Sequence, residues 1–185
     1  MKIFRITIVL MMASALMLSA SCGQTDKEIP GDLTDNESPA PTENTADFNF
    51  VLRYGIMNGN KLDTFNGKYT KDMILDPDIT IDLKLTTDEL AQILAKMKEI
   101  DFFNYPDAFI VEVPPGELRM FVTPCDSYYF KVEYGSVTKE LRWQDEIRNE
   151  NEKADRLREL IEFITDIIES KEEYKRLPEP RGGYL

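Results

Sequence analysis

The sequence contains no histidine, two cysteines and a single tryptophan in 185 residues. Without histidine there is no Ser-His-Asp triad, no Cys-His pair and no ordinary zinc site, because the usual base and ligand of neutral pH is missing. Positive charge is also in deficit. The 22 Lys and Arg residues stand against 34 Asp and Glu, a net charge of −12. That balance disfavours nucleic acid, whose phosphates are bound by clustered cations that release counterions. No internal repeat and no dinucleotide-binding fingerprint occurs. What the chain does have is a 42% hydrophobic share, enough for one globular domain with a real core.

The longest apolar run is Ile6 to Leu18, behind Lys2 and Arg5 and ahead of Ser19, Ala20 and Ser21. Thirteen residues fall short of the roughly 20 that span a bilayer, and the basic start, apolar middle and small-residue end are those of a secretory signal peptide. The stretch Leu18-Ser19-Ala20-Ser21-Cys22-Gly23 resembles the lipobox of bacterial lipoproteins, with Leu one position earlier than usual. That resemblance implies a signal peptide over residues 1–21 and a Cys22 thiol carrying diacylglycerol, with palmitate-type chains in the membrane. One acyl chain binds a bilayer only at about 10⁴ M⁻¹, so two are needed for a stable anchor. The implied location is the outer face of the cytoplasmic membrane. Cleavage near Ala20 to give a freely secreted protein is the alternative.

Residues 22–46 follow the cleavage point, and their stretch from Gly23 holds Pro30, Pro39 and Pro41, six acidic residues, one basic residue and few large apolar side chains. Such a stretch cannot bury enough surface to offset its ordering entropy and reads as a disordered tether. Its 24 residues reach about 25–30 Å as a flexible chain. The domain of residues 47–185 keeps a net charge of −9.

Within that domain, Phe48, Phe50 and Leu52 alternate with polar or exposed-type neighbours, the period of a strand. Asn58-Gly59 marks a turn, Leu62–Phe65 a short strand and Asn66-Gly67 a tight hairpin of type I′, with Lys68 to Ile74 returning. Asp76-Pro77-Asp78 breaks the chain before a further alternation of Ile79, Ile81, Leu83 and Leu85. Thr86 and Glu89 form a capping box ahead of Leu90, Ile93, Leu94, Met97 and Ile100 at helical spacing. Residues 106–118 read as a loop and Arg119–Thr123 as a strand. A hairpin follows, turning at Gly135-Ser136 in type II′, with Tyr128, Phe130, Val132, Tyr134, Leu141 and Trp143 on one face and Lys139 interrupting it. A second amphipathic helix is expected from about Glu152 to Tyr174. The order predicts an α+β fold, an antiparallel sheet with two amphipathic helices packed on one face.

Candidate chemistry is sparse. Asp76 to Asp82 gathers carboxylates, but a calcium loop needs Gly at its sixth position and Glu at its twelfth, where this chain has Ile81 and Thr87. Paired carboxylates can hydrolyse glycosides, yet an acidic chain offers many pairs without singling one out. Cys125 would be the only thiol of the folded part if Cys22 is lipidated. It reads as a small apolar residue or as a reactive or intermolecularly bonded thiol. Tyr129 points away from the aromatic face beside Lys131 and Glu133. The 106–118 loop, with Phe109, Pro114 and Pro115, is the natural place for recognition. The expected binding residues are therefore Phe109, Pro114, Pro115, Tyr129 and Lys131, with no catalytic residue, metal or cofactor.

The segments DFNFVLRYGI, LDTFNGKYTKDMILDP, EIDFFNYP, YYFKVEYGSVTKELRW and the stretch from KADRLREL to RGGYL resemble a family of small surface lipoproteins of Gram-positive bacteria. They are also similar to extracytoplasmic tails of antirepressor-type membrane metallopeptidases, whose HExxH motif is absent here. The resemblance implies a monomeric binding or sensing module outside the membrane, with a protein, peptide or envelope component as partner. Two other readings fit the same composition, a secreted hydrolase working through carboxylates alone and a structural spacer of the envelope.

Overall fold

The computed structural model describes residues 45–184. The expected signal peptide, Cys22 and most of the expected tether lie outside the described residues. Among these residues the fold is α+β, with one seven-stranded sheet, three α-helices and a short 3-10 helix at Phe102–Asn104. Strands β1 (Phe48–Tyr54), β2 (Asn60–Asp63), β3 (Lys68–Lys71) and β4 (Ile79–Asp82) precede helix α1 (Thr87–Glu99). Strand β5 (Ala108–Phe109), the long hairpin β6 (Ser127–Tyr134) and β7 (Val137–Gln144), and helices α2 (Glu152–Ser170) and α3 (Glu172–Lys175) complete it. The strand order is β4-β3-β2-β1-β6-β7-β5.

Alternation sorts the two faces. Phe48, Phe50 and Leu52 of β1 sit beside Leu62 and Tyr69 on one side and Phe130, Val132 and Leu141 on the other, all buried in one cluster. Ile93, Leu94 and Met97 of α1 and Leu157, Leu160, Ile161, Ile164 and Ile168 of α2 belong to the same cluster. Burying each such side chain contributes about 1.5–3 kcal/mol. The odd-numbered residues of β1 and β6 therefore fall on the other face, away from this cluster.

The cap of α1 is as the sequence predicts: the Glu89 amide donates to Thr86 Oγ1 and the Thr86 amide to Glu89. The hairpin turn also holds, with Gly135 alone in the left-handed region at φ 57°. Lys139 keeps the expected register opposite Val132. Its ammonium donates to the Tyr105 carbonyl and to Asp107, both at 2.5 Å, so the break in the apolar stripe is a pin for the segment leading into β5.

Five expectations are corrected. The sheet is mixed, because Ala108–Phe109, inside the expected loop, pairs parallel with β7. Arg119–Thr123 forms no strand and makes a single bridge, Phe121 to Ile147. Asn66-Gly67 does not close a two-residue hairpin. Asp63 pairs with Lys68 across a four-residue loop, and the Asp63 carboxylate takes the Asn66 amide and side chain. Strand β3 ends at Lys71, since Asp72 accepts the Ile74 amide and Ile74 turns to φ 61°. The second helix breaks at extended Lys171, whose ammonium reaches back to Glu89 at 2.6 Å and staples α2 to the start of α1.

Asp145, 1% exposed, is held by two bonds from Arg158, at 2.7 and 2.9 Å, and one from Arg148 at 2.6 Å. Asp145→Asn should cost about 3 kcal/mol, because the neighbouring guanidinium groups lose their counter-charge; urea denaturation measures it. Burial alone would raise the Glu89 carboxyl, but the Lys171 ammonium and the Thr86 amide and hydroxyl outweigh it and hold the group below 4.5. Glu89 therefore contributes stability that is present above about pH 4.5 and is lost as pH falls through the lower folded value. Glu89→Gln should flatten that acid limb in a series of denaturant titrations from pH 6 to 3.

Candidate functional site

The uncovered sheet face ends in a groove of about 760 Å³. Its floor comes from the register. Arg53 of β1 lies opposite Tyr129 of β6, and Tyr129 lies opposite Arg142 of β7. Three side chains of neighbouring strands thus stand in a row, each about 4.8 Å from the next. The Arg142 guanidinium lies 5.2 Å from the Tyr129 ring centroid and bonds Glu140 at 2.9 Å. Arg53 is exposed and forms no ion pair among the described residues.

One wall is the turn after β1, where Met57 and Asn58 take φ values of 57° and 60°. The turn is fastened to β6 by the Ser127 amide bonding the Gly55 carbonyl at 3.0 Å and by the Ile56–Asp126 bridge. A non-glycine residue in the left-handed region costs about 1–2 kcal/mol. Met57 bears that cost while 80% exposed, its apolar side chain held out over the groove. The opposite wall continues from β5, where Phe109 and Val111 turn inward and Ile110 outward.

The end of the groove is Glu146 and Ile147. A second strip is laced to them. The Val122 amide bonds the Glu146 carbonyl at 2.9 Å, and the Arg148 amide bonds the Met120 carbonyl at 2.8 Å. Buried Asn149 accepts from the Met120 amide and donates to the Leu118 carbonyl, both at 2.9 Å. The strip is thus fixed through its backbone while Leu118, Met120 and Phe121 remain exposed. Among the described residues, five of the eight large apolar side chains that are exposed lie on this groove or its strip. Gathered apolar exposure of this kind marks an interaction surface, whereas isolated exposed residues need no explanation.

Of the residues named from sequence, Tyr129 is on the groove floor as its outward parity implied. Lys131 lies one pair further along the open face, bonded to Glu133 at 2.8 Å, which raises its ammonium pKa, and 5.4 Å from the Phe65 ring centroid. Phe109 is not a free contact residue. It is 6% exposed and its ring packs between Tyr105 and Trp143, at 5.4 and 5.5 Å, so it supports the wall from beneath. Pro114 and Pro115 are exposed in a turn closed by the Glu117 amide on the Pro114 carbonyl, away from the groove lining. Cys125 is half-buried and accepts from Gln144 at 3.5 Å. The Cys22 site lies outside the described residues. Sequence reasoning missed Arg53, Arg142, Met57 and Ile110.

Among the described residues, no group of three or more Cys, Asp or Glu side chains is placed to hold a metal ion, and no helix is long and apolar enough to cross a membrane. Asp76 instead carries a two-bond pair with Arg181. No protein-family model matches the chain, and no curated protein matches it.

Met57→Gly should raise stability by roughly 0.5–1 kcal/mol, because it removes left-handed strain and takes away a side chain that buries nothing; the midpoint of urea unfolding reads this directly. Unchanged or lowered stability would mean that the Met57 side chain packs in solution.

Proposed function

We propose that this chain is a lipid-anchored binding protein of the bacterial cell envelope, held by Cys22, whose groove takes an acidic, apolar-bearing segment of a partner polypeptide. The observation that carries the reading is the meeting of exposed Met57 and Ile110 with Arg53 and Arg142 on one groove, beside the strip that bears exposed Phe121. A domain of net charge −9 repels an acidic partner nearly everywhere, so Arg53, which has no ion pair among the described residues, beside the Arg142 guanidinium that Glu140 already holds, sets where such a partner can approach. Tyr129 between them adds a rigid aromatic surface of the sort that dominates binding energy at interfaces. Membership among the surface lipoproteins of Gram-positive bacteria is part of the same proposal.

Binding is preferred to catalysis on the groove's own chemistry. Among the described residues, Glu146 is the one carboxylate on its lining, whereas glycoside hydrolysis needs two flanking the scissile bond. A pure spacer would have no use for an apolar strip clamped by Asn149 in full view of solvent.

Two measurements test the reading. Cys22→Ala should move the protein from the membrane fraction to the medium, and unchanged retention would remove the lipid anchor from the proposal. A fluorescein-labelled peptide alternating Glu and Leu should bind the full chain at least about tenfold more tightly than its Lys-Leu counterpart. Arg53→Glu combined with Arg142→Glu should reverse that order, with the wild-type preference fading as salt rises. Equal binding of the two peptides by the wild-type chain would sink the groove assignment.

A further inference from the structure

A second cavity, of about 240 Å³, lies on the other side of the first turn, where the C-terminal segment folds over strands β1 to β3. Its walls are aromatic and acidic. Tyr54, Tyr69, Tyr174 and Tyr184 line it together with Asp72 and Glu169. Tyr69 donates to Asn60 at 3.3 Å, so the 2.8 Å bond between the two phenols is donated by Tyr54. Burial, reinforced by the nearby Glu169 carboxylate, pushes the Tyr174 phenol up to about 12, and the Asp72 carboxylate does the same for Tyr184. All four rings are thus neutral, electron-rich surfaces at physiological pH.

The charges around this cavity do not balance. Among the described residues, its carboxylates are Asp72, Glu169 and Glu179, and its single cation is Lys71. Asp72 is committed to the Ile74 amide and the Tyr184 hydroxyl. Lys71 is 5% exposed; it donates to the Pro178 carbonyl at 3.0 Å and stands 3.7 Å from Glu179. Glu169 accepts only the Tyr174 hydroxyl, at 3.3 Å, and pairs with no cation among the described residues. The Lys71 ammonium also lies 5.0 Å from the Tyr174 ring centroid, so a cation already rests on one side of this aromatic wall. Aromatic faces attract cations through the ring quadrupole, most strongly where water is excluded, and rings beside a carboxylate are how proteins recognise alkylated ammonium groups.

We propose that this cavity is a binding site for a small organic cation, an alkylammonium head seated against the Tyr54 and Tyr174 rings with Glu169 as its counter-charge. The wall supplied by the C-terminal segment is built to stay. Arg181 grips Asp76 through two bonds, at 2.7 and 2.5 Å, and its backbone bridges to Ile74. Gly182, at φ 91°, lies so close to Leu75 that an added Cβ would come within 2.8 Å of it. Gly59 serves the opposite wall in the same way, since a Cβ there would fall 2.2 Å from the Asp72 carboxylate.

The test is an NMR titration of the full chain in detergent with tetramethylammonium chloride and methylammonium chloride, reading the tyrosine ring resonances against sodium chloride at equal ionic strength. Saturable shifts at Tyr54 and Tyr174 are expected, and the tighter of the two salts identifies the head group. Glu169→Gln, at an exposed helical position, should weaken binding about fivefold to tenfold, as should Tyr174→Leu, while Tyr174→Phe keeps the ring and most of the affinity. If Tyr174→Leu fails to fold, Glu169→Gln alone decides. Shifts that do not saturate, that sodium reproduces, or that Glu169→Gln leaves untouched would overturn the proposal, as would tighter binding of inorganic phosphate through Lys71.

Discussion

The arrangement of this domain hinges on one buried carboxylate. Asp145 sits where the long hairpin ends, its amide bonded to the Asp126 carbonyl at 2.9 Å and its side chain held by Arg158 and Arg148. Arg158 belongs to α2, and its guanidinium also lies 5.3 Å from the Trp143 ring centroid. A single ionic junction thereby joins the end of β7, the start of β6 and the helix that covers the core. Such a junction contributes little net energy over a well-packed apolar one, yet it tolerates only one geometry because each charge must find its partner. The chain leaving Asp145 is therefore aimed, and the next four residues become both the end wall of the groove and the rail on which the 118–122 strip is laid.

That aiming matters because the helices cover one side of the sheet. A seven-stranded sheet with two long helices on one face leaves the other to be made tolerable in water by its own side chains. Most of this face achieves that with pairs along and across the strands: Lys68 with Asp82 at 2.6 Å, Lys131 with Glu133, and Thr70 with Thr80 at 2.9 Å. Exposed pairs of this kind add about 0–1 kcal/mol each. Their larger effect is to neutralise the surface. Where the pairing stops, at Arg53, and where apolar side chains are held outward, the surface changes character within a few ångströms.

Much of the architecture was legible in the residues because the relevant signals are local. The capping box at Thr86 and Glu89, the left-handed glycine at Gly135 and the alternation of Phe48, Phe50 and Leu52 all act over a few positions. The departures share a different cause. A two-residue strand such as β5 has no period of its own, and it exists because β7, over thirty residues later, offers it a ladder. The Asn66-Gly67 signal was overruled by the Asp63 side chain, and the helix break at Lys171 coincides with a partner 82 residues away. The groove follows the same division. Tyr129 could be placed outward by parity, but nothing near Arg53 or Arg142 in the chain says that register will set them on either side of it. Phe109 lines the groove from beneath its wall because its loop is an extension of the sheet, which turns alternate side chains into the core.

The brevity of the outermost strands has a further consequence. The sheet terminates in four residues of β4 on one side and two of β5 on the other, so neither margin presents a long row of unpaired amides and carbonyls. Open margins are the usual template on which copies of a β protein add to one another. Under the proposed Cys22 anchor, copies of this chain would meet one another far more often than they would free in solution. Truncated margins allow this domain to be crowded without polymerising, leaving side-chain recognition rather than backbone pairing to decide what it associates with.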